Sequence, residues 1–187
     1  MLYILNFLTF QAGWFSSVYG GAKQMPWLGP LAVALVLLLH FSLARGRRAE
    51  LMLILSCAAI GAAFDSSLVA MDWVQYPSGM FSEFAAPFWI ITMWMLFATT
   101  LNVSMRWLRE RPALASICGL TGGPLTYLAG QQLGGIVLLE PLPALLALGI
   151  GWAVMMPMLL RLSAIFDGFA APAGDRMATV AVAEPGR

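Results

Sequence analysis

From Phe88 to Met105 the chain runs eighteen residues, FWIITMWMLFATTLNVSM, without a charge. As a helix, a stretch of that length reaches across the hydrocarbon layer of a bilayer, while a small water-soluble domain has little room to bury it. The pattern recurs along the chain. Apolar segments fall at about 2–20, 26–44, 51–73, 86–105, 113–132 and 142–165, joined by short polar connections such as RGRRAE, QYPSGMFSEFAAP and RWLRERP. Hydrophobic residues make up 60% of the chain and charged residues 10%. A soluble domain carries roughly a quarter charged residues, so this chain in water would expose more apolar surface than folded proteins tolerate. The expected fold is all-α: one polytopic bundle of six transmembrane helices over residues 1–165, with a flexible cytoplasmic tail over 166–187 that is rich in Pro, Gly and Ala.

Arginine placement sets the orientation. Arg45, Arg47 and Arg48 follow the second segment, Arg106, Arg109 and Arg111 the fourth, and Arg161, Arg176 and Arg187 lie at or beyond the end of the sixth. Lys23 alone falls on the other side. Basic residues collect on the cytoplasmic side of inner-membrane proteins, so both termini are expected to face the cytoplasm. The first segment lacks a basic leader region and is interrupted by Asn6 and Gln11, so it reads as a retained span. Trp14, Trp27, Trp73, Tyr76 and Trp89 fall near the outer ends of their spans and read as interfacial anchors. A net charge of +1 gives no field for nucleic acid.

The polar residues inside the apolar segments are the candidates for function. At about 1.5 Å per residue, His40, Asn6 and Asn102 lie within ~8 Å of the cytoplasmic interface, and Glu50 sits at that interface. Asp65 lies about 22 Å up the third span, near the midplane, with Tyr127 at a similar height on the fifth and Gln11 a turn lower on the first. His40 and Asp65 therefore differ in height by roughly 15 Å and cannot form an acid–base dyad. Asp65 falls on a stripe of small residues, Ala58, Gly61 and Ala62, and is expected to face other helices, with Tyr127 or Gln11 as its nearest polar partner. His40 is expected to face the bundle with Asn102 or Asn6 in reach. A contact with Glu50 is disfavoured, because the glutamate would have to fold back beneath the hairpin. Thr99 joins the candidates from the FATTLN stretch, though threonine often bonds its own helix. With one histidine, and with Cys57 and Cys118 far apart in apolar stretches, no zinc site built on His and Cys is expected, and no cofactor is indicated.

Taken in order, NFLTFQAGWF, the isolated His40, GAAFDSS, PFWIITMWMLFATTLNVSMRWL and GGPLTYLAGQQLG resemble the bacterial inner-membrane proteins catalogued as domain of unknown function 2878. The resemblance runs from about residue 5 to 163. It implies that Asn6, Gln11, Trp14, His40, Asp65, Asn102, Pro124 and Tyr127 occupy the family's signature positions, and that Val103 stands where members often carry a histidine. That departure argues against a two-histidine metal site. The family brings no activity with it.

Three functions fit these residues. The first is binding or translocation of a small or lipid-like molecule at a polar interior site formed from Asn6, Gln11, His40, Asp65, Thr99, Asn102 and Tyr127. The second is an enzyme embedded in the membrane, acting on a lipid or isoprenoid-like substrate at the cytoplasmic leaflet, with His40 as acid or base. The third is an accessory subunit of a membrane complex. The expected partners are the bilayer, a small or lipid-like ligand, and a second copy or another membrane subunit.

Overall fold

The computed structural model describes residues 1–170, and residues 171–187 lie outside the described residues. Six α-helices form among the described residues: α1 (Leu2–Ala22), α2 (Leu28–Leu43), α3 (Arg47–Ala70), α4 (Phe88–Leu101), α5 (Pro112–Gln132) and α6 (Pro141–Ile165). The two longest, α3 and α6, are long and apolar enough to cross a membrane by length and composition, and α2 and α4 are shorter apolar helices. Pro112 and Pro141 open α5 and α6 at the position where the missing N–H is no loss. Two departures from the expected segments matter for the site. Helix α3 starts at Arg47 and not at 51, and α4 ends at Leu101, giving way to a 3-10 turn over Arg106–Leu108.

The helices alternate in direction, as the contacts between their connections show. At one end Gln24 donates to the Pro77 carbonyl at 3.0 Å, Ser78 to the Gly21 carbonyl at 2.8 Å, and the Leu139 N–H to the Trp73 carbonyl at 3.0 Å. A two-residue antiparallel ribbon, β1 (Val74–Gln75) with β2 (Val137–Leu138), closes this end, with Val74 opposite Leu138 and Gln75 opposite Val137. The sequence reading expected no strand there. At the other end the N–H groups of Arg45 and Gly46 both donate to the Gly168 carbonyl, at 3.0 and 2.9 Å. This second end carries the arginines.

Helix α4 lies at the centre, packed by α1 and α2 on one side and α3 on the other, while α5 and α6 form a tight hairpin that meets α3 and α4 through α6. The hairpin is close because Gly119 has no side chain: a Cβ there would lie 2.2 Å from the Trp152 carbonyl oxygen. The Gly119–Gly123 stripe therefore faces α6. Leu53, Leu68, Trp89, Leu96, Leu101, Leu148 and Leu159 are completely buried. The outer faces are apolar too. Leu31, Leu35 and Leu38 on α2, and Leu142, Leu146, Ile150 and Val154 on α6, are each more than half exposed at helical spacing. Meanwhile Glu50, Asp65, Thr99, Asn102 and Ser163 are buried. Leucines outside and carboxylates inside is the reverse of the usual arrangement in water.

Candidate functional site

Asp65 is completely buried on α3. One turn earlier, Gly61 leaves a notch that the indole of Trp94 fills: a Cβ at position 61 would lie 2.0 Å from the ring. Seated there, Trp94 donates from Nε1 to Asp65 Oδ2 at 2.6 Å. The hydroxyls of Tyr127, on α5, and Tyr76, just after β1, both donate to Oδ1, the latter at 3.4 Å. A carboxylate only accepts, and three donors from three separate segments leave it no unpaired oxygen. Each such bond to a charged acceptor contributes about 1.5 to 3 kcal/mol, which offsets the loss of hydration that burial imposes. Asp65 thereby fixes α4 and α5 against α3. Behind it, Trp94 stacks on Trp152 with ring centroids 4.8 Å apart and planes 11° off parallel.

Beside this cluster lies a cavity of about 450 Å³. Helices α1 and α5 face each other across it, with Phe10 and Trp14 on one wall and Gly122 and Gly123 on the other. Trp94 and Phe97 of α4 and Trp152 of α6 close the back. Asp65, Tyr127, Thr126 and Ser104 also reach its surface, but each is already engaged in a hydrogen bond within the protein. The cavity therefore presents apolar and aromatic surface with few free polar atoms. That chemistry suits a hydrocarbon and not an ion. A Cβ added at Gly122 would meet nothing within 4 Å, which marks the α5 wall as open.

A second polar cluster occupies the end that carries the arginines, centred on Glu50. This side chain is completely buried. His40 Nε2 donates to Glu50 Oε2 at 2.8 Å, while Asn102 Nδ2 and the Gly168 N–H, the latter at 2.7 Å, both donate to Oε1. Asn102 also donates to the Phe166 carbonyl at 2.8 Å and accepts from Arg109. Arg109 reaches on to Ser163 Oγ at 3.1 Å and to Asp167 at 2.8 Å, and Arg106 meets the same Asp167 oxygen at 2.7 Å. The expectation that Glu50 stays away from His40 is corrected. Because α3 begins at Arg47, the connection from α2 is only Ala44–Gly46, and Glu50 falls in the first helical turn, facing the bundle. Phe169 lies against the His40 ring, 5.1 Å between centroids, and covers it.

The residues singled out in the sequence fall into separate groups. Asp65 meets Tyr127, and Gln11, half-buried on α1, takes no part in the Asp65 cluster. His40 and Asn102 share the Glu50 carboxylate. Asn6 donates to the Thr99 carbonyl at 3.1 Å and accepts from Ser104 at 2.7 Å, while the Thr99 hydroxyl bonds back to Leu96 at 2.7 Å. Asn6 and His40 both line a small void of about 20 Å³ without bonding each other. Two of the aromatic anchors are corrected as well. Trp89 is completely buried and donates to the Ser78 carbonyl at 2.9 Å, and Tyr76 is a partner of Asp65. Trp94, Trp152 and Ser163 were not singled out, and Glu50 and Arg109 were named for the interface and for orientation but not as site residues. The flexible tail was expected from 166, yet residues 166–170 pack on the Glu50 cluster, and the remainder of that tail, 171–187, lies outside the described residues. No three His, Cys, Asp or Glu side chains come together to hold a metal ion among the described residues.

Comparison with curated proteins and with solved structures returns no significant match. The sequence profile described as "Protein of unknown function (DUF2878)" matches residues 3–158, nearly the whole helical region, and the chain belongs to that family.

Proposed function

We propose that this chain is a six-span protein of a bacterial inner membrane, with both ends in the cytoplasm, that binds a small or lipid-like apolar molecule in the cavity between α1, α4, α5 and α6. The leucine stripes on the outer faces of α2 and α6 support the membrane setting, since lipid covers them at no cost and water does not. The observation that carries the binding reading is the cavity itself. About 450 Å³ bounded by aromatic rings and by the glycines of α5, with Asp65 and Tyr127 at its wall, lies in the range of small-molecule sites. Gly122 gives a direct test. Gly122→Leu puts a side chain into open space, and leucine favours helix over glycine, so folding is retained while the cavity is filled. Mass spectrometry of protein purified in mild detergent should find a bound small or lipid-like molecule in the wild type and lose it in Gly122→Leu. Equal recovery from both proteins would remove the cavity from consideration.

One observation favours a second reading. A histidine held by a buried glutamate, as in His40–Glu50, is the arrangement that orients and sustains a general base. On that reading the protein is an enzyme acting on a lipid or isoprenoid-like substrate at the cytoplasmic leaflet. Phe169 over the ring opposes it, because a base must reach its proton.

A further inference from the structure

The cavity does not end among apolar residues. At Ser104 and Trp107 it adjoins a second cleft of about 710 Å³, at the end of the bundle that carries the arginines. Ser104 and Trp107 line both spaces, and the cleft adds Tyr3, Arg106, Arg109 and Glu110. An indole that is half exposed at the boundary between an apolar wall and a charged one is placed as such rings are at a lipid headgroup. The two arginines differ in what they have left to offer. Arg109 is committed to Asn102, Ser163 and Asp167 and is mostly buried. Among the described residues Arg106 makes one ion pair, to Asp167, and leaves 39% of its side chain accessible. A guanidinium has five N–H donors in a planar fork, so among the described residues most of those of Arg106 are left for a carboxylate or phosphate.

We propose that the combined site takes an amphiphile with one hydrocarbon chain and one anionic headgroup, the chain in the aromatic cavity and the headgroup at Arg106 beside Trp107. This rests on the reading that the cavity binds a lipid-like molecule, and it names the class. The volume suits one chain better than a diacyl pair. Glu110 at the cleft rim disfavours additional negative charge there, which argues for a compact headgroup over a polyanionic one.

The test uses the full-length protein in detergent and two brominated probes, dibromostearyl phosphate and uncharged dibromostearyl alcohol, read by quenching of the tryptophans that line the cavity. The phosphate should quench the wild type at about tenfold lower concentration than the alcohol, as expected of one charge-assisted contact. Arg106→Gln should erase that preference and leave the alcohol titration unchanged, and Arg106→Lys should restore part of it. Folding is protected in both, because Arg109 also holds Asp167. Gly122→Leu should abolish the saturable quenching by either probe. If Gly122→Leu blocks both probes but Arg106→Gln leaves the phosphate preference intact, the headgroup assignment is wrong and the cavity reading survives. If neither probe quenches the wild type in a saturable way, the cavity reading fails as well. Inorganic phosphate should compete only for the headgroup contact, weakening the phosphate probe towards the alcohol's affinity. Displacement of the uncharged alcohol by inorganic phosphate would overturn the proposal.

Discussion

The indole of Trp94 occupies the space that a side chain at position 61 would fill, and only for that reason does its Nε1 reach the carboxylate of Asp65 at 2.6 Å. Gly61→Ala should push the ring away from α3 and weaken that hydrogen bond. Overpacking of this kind costs about 1 to 3 kcal/mol. Thermal unfolding in detergent, followed by tryptophan fluorescence, should show the loss together with a changed emission from Trp94. An unaltered melting temperature would mean that the notch is not filled as described.

Asp65 itself separates hydrogen bonding from charge. Asp65→Asn keeps an acceptor for Trp94 Nε1, and its amide can donate to the tyrosine hydroxyls, which also accept. Asp65→Leu leaves Tyr76, Trp94 and Tyr127 without their shared partner, at about 1 to 3 kcal/mol for each buried donor left unpaired. The asparagine variant should therefore purify as a folded protein and the leucine variant should be strongly destabilised. Leucine at position 65 with wild-type stability would dismiss Asp65 as the fastener of α3, α4 and α5.

Depth along the helices was legible in the sequence, and rotation about them only where a stripe of small residues or a polar side chain marked the inner face, as at Asp65 and His40. Counting residues placed Asp65 and Tyr127 at one height and separated Asp65 from His40, and the hydrogen bonds agree. Trp94 gave no such signal, because a tryptophan in an apolar run reads as lipid-facing or as packing. Its role depends on how α4 turns towards the notch at Gly61, four residues before Asp65. Glu50 was misplaced because the arginines of RGRRAE looked like a loop, whereas helix α3 already includes Arg47 and Arg48. The contribution of residues 166–170 was hidden for another reason. Asn102, Glu50 and Gly46 make their contacts to backbone atoms there, and backbone groups leave no mark on residue type. Gly168 was the available clue: a Cβ at that position would lie 2.6 Å from Glu50 Cγ.

Topology can be tested at two exposed positions on opposite ends of the bundle. In a Cys57→Ala, Cys118→Ser background, Glu83→Cys lies in the connection before α4, and Arg48→Cys lies at the start of α3. If the chain crosses the membrane six times with its arginines inside, an impermeant maleimide added to spheroplasts should label position 83 and reach position 48 only after lysis. Labelling of both positions in intact spheroplasts would contradict that arrangement.

The Glu50 cluster predicts how His40 behaves when it is replaced. His40 donates to a completely buried carboxylate whose other donors are Asn102 and the Gly168 backbone. Glutamine at position 40 can still offer an N–H to Glu50, so His40→Gln should keep the melting temperature close to that of the wild type. His40→Leu removes one donor from a buried charge and should cost about 1 to 3 kcal/mol. Asn102→Leu should also destabilise, and the double variant with His40→Leu should deviate from additivity by about 0.5 to 3 kcal/mol, because both side chains serve one carboxylate. Strict additivity would place the two residues in independent environments. The same glutamine variant divides the two functional readings, since it keeps the hydrogen bond but cannot titrate as imidazole does. Retained binding of the alkyl phosphate by His40→Gln is expected if the cavity is the working site and the Glu50 cluster only holds the helix ends together. Loss of a catalysed reaction in His40→Gln, with stability and ligand binding unchanged, would instead make His40 a general base and Phe169 a cover that must move.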